Sequence, residues 1–139
     1  MTLADGTLVV EVLPMFDELD LLHARRQLMA GIVDLHVVIE GDQTFQGQPK
    51  PFHLQSPGAI AAGPGDVVGH LFRFPSIAEV WSPWDRERYQ RDQAAEAFRA
   101  FELHQAADVL VISADLDEFV DPAAIEQIAA ASDERAGRP

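Results

Sequence analysis

Residues 108–122 read DVLVISADLDEFVDP. The apolar run Val109 to Ile112, rich in β-branched side chains, predicts a strand over Asp108–Ser113. Asp121-Pro122 predicts a helix start, with the aspartate as N-cap and the proline at the first helical position, where its missing N–H is not needed. That helix is expected over Ala123–Ala131, with a polar tail over 132–139. Between strand and helix lies Ser113-Ala-Asp115-Leu-Asp117-Glu118. Strand, short acidic turn and helix make the repeating unit of an α/β domain.

The same rhythm runs back through the chain. Thr7 to Leu13 (TLVVEVL) reads as a strand that stops at Pro14, and Asp17-Glu-Leu-Asp20 as a helix start with a carboxylate capping box. Leu21, Leu22, Leu28, Met29 and Ile32 predict that helix's buried face, with Arg25 and Arg26 toward water and Gly31 near its end. Asp34 to Glu40 (DLHVVIE) has the near-continuous apolar centre of a strand covered on both faces. Phe52–Leu54 is a candidate short strand, Ser56–Asp66 a loop, Val67–Phe74 a strand, and Asp85 to about His104 the longest helix, buried through Ala94, Ala97, Phe98 and Phe101. The expected fold is therefore α/β, a mainly parallel sheet flanked by helices, in one domain over residues 1–131. In such sheets ligands bind outside the carboxyl ends of the strands.

The composition narrows the function. Lys plus Arg number 10 against 23 Asp plus Glu, a formal charge of −13, and the single lysine is Lys50. Without a basic run the chain lacks the phosphate-neutralising surface of a nucleic-acid binder. With no cysteine there is no disulfide framework, thiolate metal site or cysteine nucleophile. Residues 1–6 show no signal-peptide pattern, and the apolar runs fall far short of the roughly 20 residues that span a bilayer. The expectation is a soluble, cytoplasmic protein with a core burying roughly 68% of the surface its unfolded chain exposes.

Asp115 and Asp117 lie two residues apart after a strand, where both can turn into one crevice. Hard oxygen ligands of this kind suit Mg²⁺ or Mn²⁺ shared with a diphosphate; the same residues also serve as caps or solvated carboxylates. A calcium loop is excluded, because counting from Asp115 its fifth and sixth positions are Phe119 and Val120. A dehalogenase-type phosphatase would carry its D-x-D near the N-terminus. Glu40, at a strand's carboxyl end, can accept hydrogen bonds from a base or ribose, or simply open a turn. Trp84 to Asp92 reads as a helix start with a Glu87–Arg91 pair, or as an arginine within reach of a diphosphate. His23, His36, His53, His70 and His104 show no metal spacing. His36 and His70 read as sheet or core residues, and Trp81 and Trp84 as loop anchors.

Four segments in order, Pro14–Leu22, Val37–Glu40 with Thr44-Phe45-x-Gly47-x-Pro49-Lys50-Pro51, Trp84–Arg91, and Val111–Glu118, resemble glycosyltransferase family 17. The resemblance spans about Val9 to Ile125 and implies a GT-A-like, Rossmann-type fold. It implies an inverting transfer from a UDP-sugar, with UDP-N-acetylglucosamine as the expected donor and a glycan or other hydroxyl as acceptor. It implies that Asp115 and Asp117 hold the divalent metal, that Glu40 contacts the nucleoside, that Glu87, Gln90 and Arg91 line the donor site, and that Asp17 and Glu18 lie in the nucleotide loop. The family commonly has Asn at the positions of Asp17 and Asp92, so this chain adds negative charge there; its Ser56–Asp66 stretch is compressed. The family's acceptor-building half would follow the D-x-D helix, and the sequence is expected to be truncated before it. No catalytic base stands out, although Asp121 and Glu126 are near in sequence. The other readings are a remnant or split-gene product that binds nucleotide, itself or a partner chain without turnover, and a metal-dependent phosphatase.

Overall fold

A computed structural model of the chain describes residues 7–60, 62–103 and 108–136, with side chains through Ala131. Residues 1–6, His104 and residues 137–139 of the expected tail lie outside the described residues. Strands β1 (Thr7–Met15), β2 (Leu35–Gly41), β3 (Asp66–Phe72) and β4 (Asp108–Ser113) form one sheet in the order β3-β2-β1-β4. Every pairing is parallel. Helices α1 (Leu19–Leu28), α2 (Pro83–Ala100) and α3 (Pro122–Ala136) flank it in a Rossmann-like α/β arrangement. The chain steps outward from β1 to β2 to β3, then returns to place β4 on the other side of β1. The strand order thus reverses between β1 and β4, which opens a crevice at their carboxyl ends.

Burial on both faces explains why the central strands read as apolar runs. On one face Val10, Val12, Val37 and Ile39 pack with Phe72, Phe74 and Ala97 of α2. On the other, Leu13, Met15 and Val38 meet Leu22 of α1, and Val9 meets Met29 with Ile125 and Ala129 of α3. β1 continues past Pro14 to Met15. Val12 presents its carbonyl to Ala114 N at 3.3 Å, so by strand alternation Pro14 faces the side where β4 has ended and no donor is required of it.

Several elements depart from the sequence reading. α1 buries Leu22, Arg25 and Arg26, with Met29 at its end, the spacing i, i+3, i+4, i+7 of one helical face. Leu28 is exposed instead. The Asp17–Asp20 capping box does not form: Glu18 holds the N-cap position without a side-chain cap bond. Its carboxylate folds back to accept from Phe16 N (2.8 Å) and Asp17 N (3.3 Å). Residues His53–Gln55 make a 3-10 turn rather than a strand. Trp81 packs on Tyr89 with ring centroids 5.3 Å apart, but Trp84 is exposed. α3 runs on to Ala136, into the expected tail. No helix among the described residues is long and apolar enough to cross a membrane.

α2 starts earlier than expected because Ser82 caps it. Ser82 Oγ accepts from Asp85 N at 3.2 Å, Asp85 Oδ2 accepts from Ser82 N at 3.0 Å, and Pro83 fills the first position. Hydrogen bonds from the Ser82 backbone, then from its hydroxyl, hold the Asp85 carboxyl below its usual 3.8. A carboxyl lowered on folding stabilises while ionised, and its contribution fades as pH falls below that value. Ser82→Ala is expected to lose about 1 kcal/mol in urea denaturation at pH 7. The deficit should narrow below pH 3.8.

Candidate functional site

The site begins with a charge inside the central strand. Glu11 of β1 is fully buried, and so is its partner Arg25 of α1, whose Nε donates to Glu11 Oε1 at 2.8 Å. Glu11 Oε2 lies 2.9 Å from Nδ1 of His36, its register neighbour on β2. A carboxylate only accepts, so this contact puts the proton on Nδ1. Arg25 Nη1 then reaches the loop after β4, donating to the carbonyls of Asp115 (3.1 Å), Leu116 (3.3 Å) and Glu118. Within that loop Glu118 Oε1 accepts from Asp115 N at 2.9 Å. The acidic segment is thus shaped by a buried guanidinium gripping its backbone, which leaves the Asp115 and Asp117 side chains outside.

They face a cavity of about 290 Å³ at the β1–β4 crevice, lined among others by Glu18, Glu87, Gln90, Arg91, Asp115 and Asp117. This lies at the lower end of the volumes typical of ligand sites. Phe16, Leu21, Phe45 and Leu116 contribute apolar wall. Phe45 belongs to a hairpin closed by the Gln43–Pro49 bridge. Buried Arg86 fixes that hairpin by donating to Gln43 Oε1 and to the Ala78 carbonyl. At Gly47 (φ +86°) a Cβ would stand 2.9 Å from Arg86 Nη2, so both the backbone angle and the space favour glycine.

Six of the eight sequence-derived site residues meet here: Glu18, Glu87, Gln90, Arg91, Asp115 and Asp117. Gln90 is a buried strut, its Nε2 donating to carbonyls near the ends of two strands, Met15 at 3.1 Å and Ile39 at 2.9 Å. Asp17 is exposed on the bend beside the cavity and is not part of its lining. Glu40 is not brought to the cavity. It is fully buried, and its carboxylate accepts from Lys50 Nζ (2.6 Å), His53 N (2.6 Å) and Leu54 N (3.0 Å). Buried carboxylates need such partners, and Glu40 finds them in its own loop.

Arg91 Nη2 is 3.1 Å from Glu87 Oε1 and 3.1 and 3.3 Å from the two Asp115 oxygens. The Glu87 hydrogen bond first, then the Asp115 charge against desolvation, hold Arg91 above its usual range. Asp115 is also raised: burial pushes it up, outweighing Arg91, and the Glu118 charge adds to the rise. The two shifts point opposite ways for the pair's strength. With side chains 47% and 42% exposed, we read the contact as a solvated ion pair, worth about 0–1 kcal/mol. Asp117 is exposed, with no hydrogen bond or ion pair among the described residues.

No group of three or more His, Asp or Glu able to hold a metal occurs among the described residues. Two carboxylates on one cavity still fit Mg²⁺ or Mn²⁺ in the mode where substrate phosphates complete the coordination. A cage formed by protein alone is not what these residues build.

Sequence reasoning missed Glu11 and Arg25, the pair that shapes the loop, and the aromatic wall from Phe16 and Phe45. The signal was a glutamate in the middle of TLVVEVL: a charge in a strand buried on both faces requires a buried partner.

A parallel sheet with an acidic cavity at its reversal point defines a Rossmann-like α/β domain. The description of glycosyltransferase family 17 matches residues 4–135, nearly the whole chain, and the chain belongs to that family. No curated protein and no solved structure matches it.

Removing one member of a buried ion pair strands the other. Arg25→Met is expected to lower stability by about 3–5 kcal/mol. Glu11→Leu/Arg25→Met should recover much of that loss, so the coupling read from urea denaturation of the double-mutant cycle should be large.

Proposed function

We propose that the chain is the donor-binding domain of a glycosyltransferase with a GT-A-type fold. In this reading it takes a UDP-sugar, with N-acetylglucosamine the expected sugar, at the β1–β4 cavity, and the sugar passes with inversion to a hydroxyl acceptor such as a glycan. One observation carries the reading: Asp115, Asp117 and Arg91 share one cavity where the strand order reverses. Membership of glycosyltransferase family 17 supports it.

The roles follow from side-chain chemistry. Asp115 and Asp117 offer hard oxygens to a divalent metal, Mn²⁺ or Mg²⁺, which when bound would neutralise charge on the departing diphosphate. Arg91 presents a planar fork suited to diphosphate oxygens. Phe16 and Phe45 offer apolar surface to a nucleobase. Gln90 keeps the floor rigid by tying β1 to β2. Glu18 and Asp17 hold the rim after β1, and Glu87 keeps Arg91 aimed along α2. Glu40 acts at one remove: with Lys50 it holds the strand-end loop on which Phe45 is carried.

Isothermal titration of UDP with and without Mn²⁺ tests the site. Binding is expected to need Mn²⁺ and to weaken at least about tenfold in Asp115→Asn/Asp117→Asn, as for loss of charge-assisted contacts of roughly 1.5–3 kcal/mol. UDP affinity indifferent to both metal and the double substitution would sink the reading. Turnover assays with UDP-N-acetylglucosamine then divide the outcomes. Sugar transfer or hydrolysis marks an enzyme, nucleotide binding without turnover marks a binding remnant, and phosphate release alone marks a phosphatase.

A further inference from the structure

We propose that Arg91 is an exchangeable counter-ion: without ligand it neutralises Asp115, and it passes to the diphosphate when a divalent cation takes Asp115. This rests on the donor-site reading above and adds a regulatory property to it. Metal and nucleotide should bind as a cooperative pair, and metal alone should bind weakly.

The geometry forces a choice on Asp115. Arg91 Nη2 straddles both its oxygens, at 3.1 and 3.3 Å. A metal on that carboxylate would occupy the same lone pairs and repel the guanidinium, so Asp115 serves one cation at a time. Charge says the same of the cavity. Its lining holds Glu18, Glu87, Asp115 and Asp117 against Arg91, that is 1 − 4 = −3. A diphosphate entering alone would meet that excess, with the one lining guanidinium already shared between Glu87 and Asp115. A metal entering alone would have to displace Arg91 from Asp115, leaving Glu87 as the one carboxylate the guanidinium already contacts.

When both enter, each removes the other's obstacle. The metal frees Arg91, and the diphosphate accepts it. The Arg91–Asp115 contact is broken once for two binding events rather than once for each, which is a positive coupling, equal when read from either ligand. The exchange is feasible because the pair is about half exposed. Arg91 can also swing while staying anchored to Glu87 one helical turn away, 3.1 Å from its Oε1.

The test measures binding, not turnover. Mn²⁺ affinity is read by electron paramagnetic resonance of the free ion, with and without UDP, in the full chain and in Arg91→Gln. Arg88→Gln controls for charge alone, since Arg88 is exposed on the same helix and lies outside the cavity lining. In the unsubstituted chain UDP should tighten Mn²⁺ binding at least about tenfold, a coupling within the usual range. Arg91→Gln should tighten binding of Mn²⁺ alone by about threefold to fivefold, the size of an exposed ion pair. It should also weaken UDP binding in the presence of Mn²⁺, so the coupling shrinks. Arg88→Gln should change neither by more than about twofold, as a screened surface charge. Thermal melting confirms that each variant is folded. If UDP with Mn²⁺ binds normally but Arg91→Gln leaves binding of Mn²⁺ alone unchanged, or Arg88→Gln matches its effect, the exchange is overturned and the donor site stands. If the unsubstituted chain binds no UDP with Mn²⁺, the donor site falls and the exchange with it.

Discussion

Glu11 and Arg25 form an ion pair with no exposed surface on either side chain, and the rest of the molecule is arranged around it. Desolvating two such ions costs several kcal/mol each, offset only where geometry is good and further hydrogen bonds are made. Here the offset comes from three sources: the Glu11 carboxylate itself, the carbonyls at 115, 116 and 118, and the Phe119 ring 5.6 Å from the guanidinium carbon. It is incomplete, because Arg25 Nη2 and His36 Nε2 find no hydrogen-bond partner among the described residues. The pair is therefore a poor way to gain stability and a good way to fix position. Only one placement of α1 on β1 lets the same guanidinium meet both the strand and the loop 90 residues later in the chain.

That division explains what could be read from sequence and what could not. The central strands were legible because a strand covered on both faces must be apolar nearly throughout, as in β1 and β2. The start of α3 was legible because Asp121-Pro122 acts locally: Asp121 Oδ1 accepts from Ala123 N at 3.0 Å. Arg25 and Arg26 were misplaced because charge was equated with solvent. Leu22, Arg25, Arg26 and Met29 keep perfect helical spacing, but two arginines in that stripe look like its wet side. Their acceptors lie far along the chain, at 11, 64, 65 and 115–118, where no local pattern announces them. The burial of Glu40 was hidden for the same reason: its position at a strand end was legible, but which way the carboxylate turns depends on Lys50.

The acidity takes on a different meaning once the cations are located. Of ten basic residues in the chain, Arg25, Arg26 and Arg86 are buried and the Lys50 side chain is nearly covered. The surface therefore carries an even larger acidic excess than the formal −13 suggests. The missing surface cations are inside, where they answer backbone carbonyls that would otherwise be orphaned in the loops at both ends of the sheet. Arg25 holds the loop after β4, Arg26 the carbonyls of Pro64 and Gly65, Arg86 that of Ala78, and Lys50 those of Gly41 and Pro51. A cavity rim of irregular backbone can be rigid only if its carbonyls are paired.

The choice of cation at each point follows from donor geometry. Lys50 carries three N–H bonds on one nitrogen and sits where three acceptors converge, Glu40 Oε2 at 2.6 Å, Gly41 O at 2.9 Å and Pro51 O at 3.0 Å. Arg25 and Arg86 sit where acceptors belong to different elements and lie on different sides. A point charge would satisfy one side and abandon the other, whereas a guanidinium spreads its donors around a plane. Lysine at position 25 could reach Glu11 or the 115–118 carbonyls but would not bridge them. The buried arginines are thus set by the separation of the elements they join, and the loops they hold apart enclose the cavity beyond the carboxyl ends of β1 and β4.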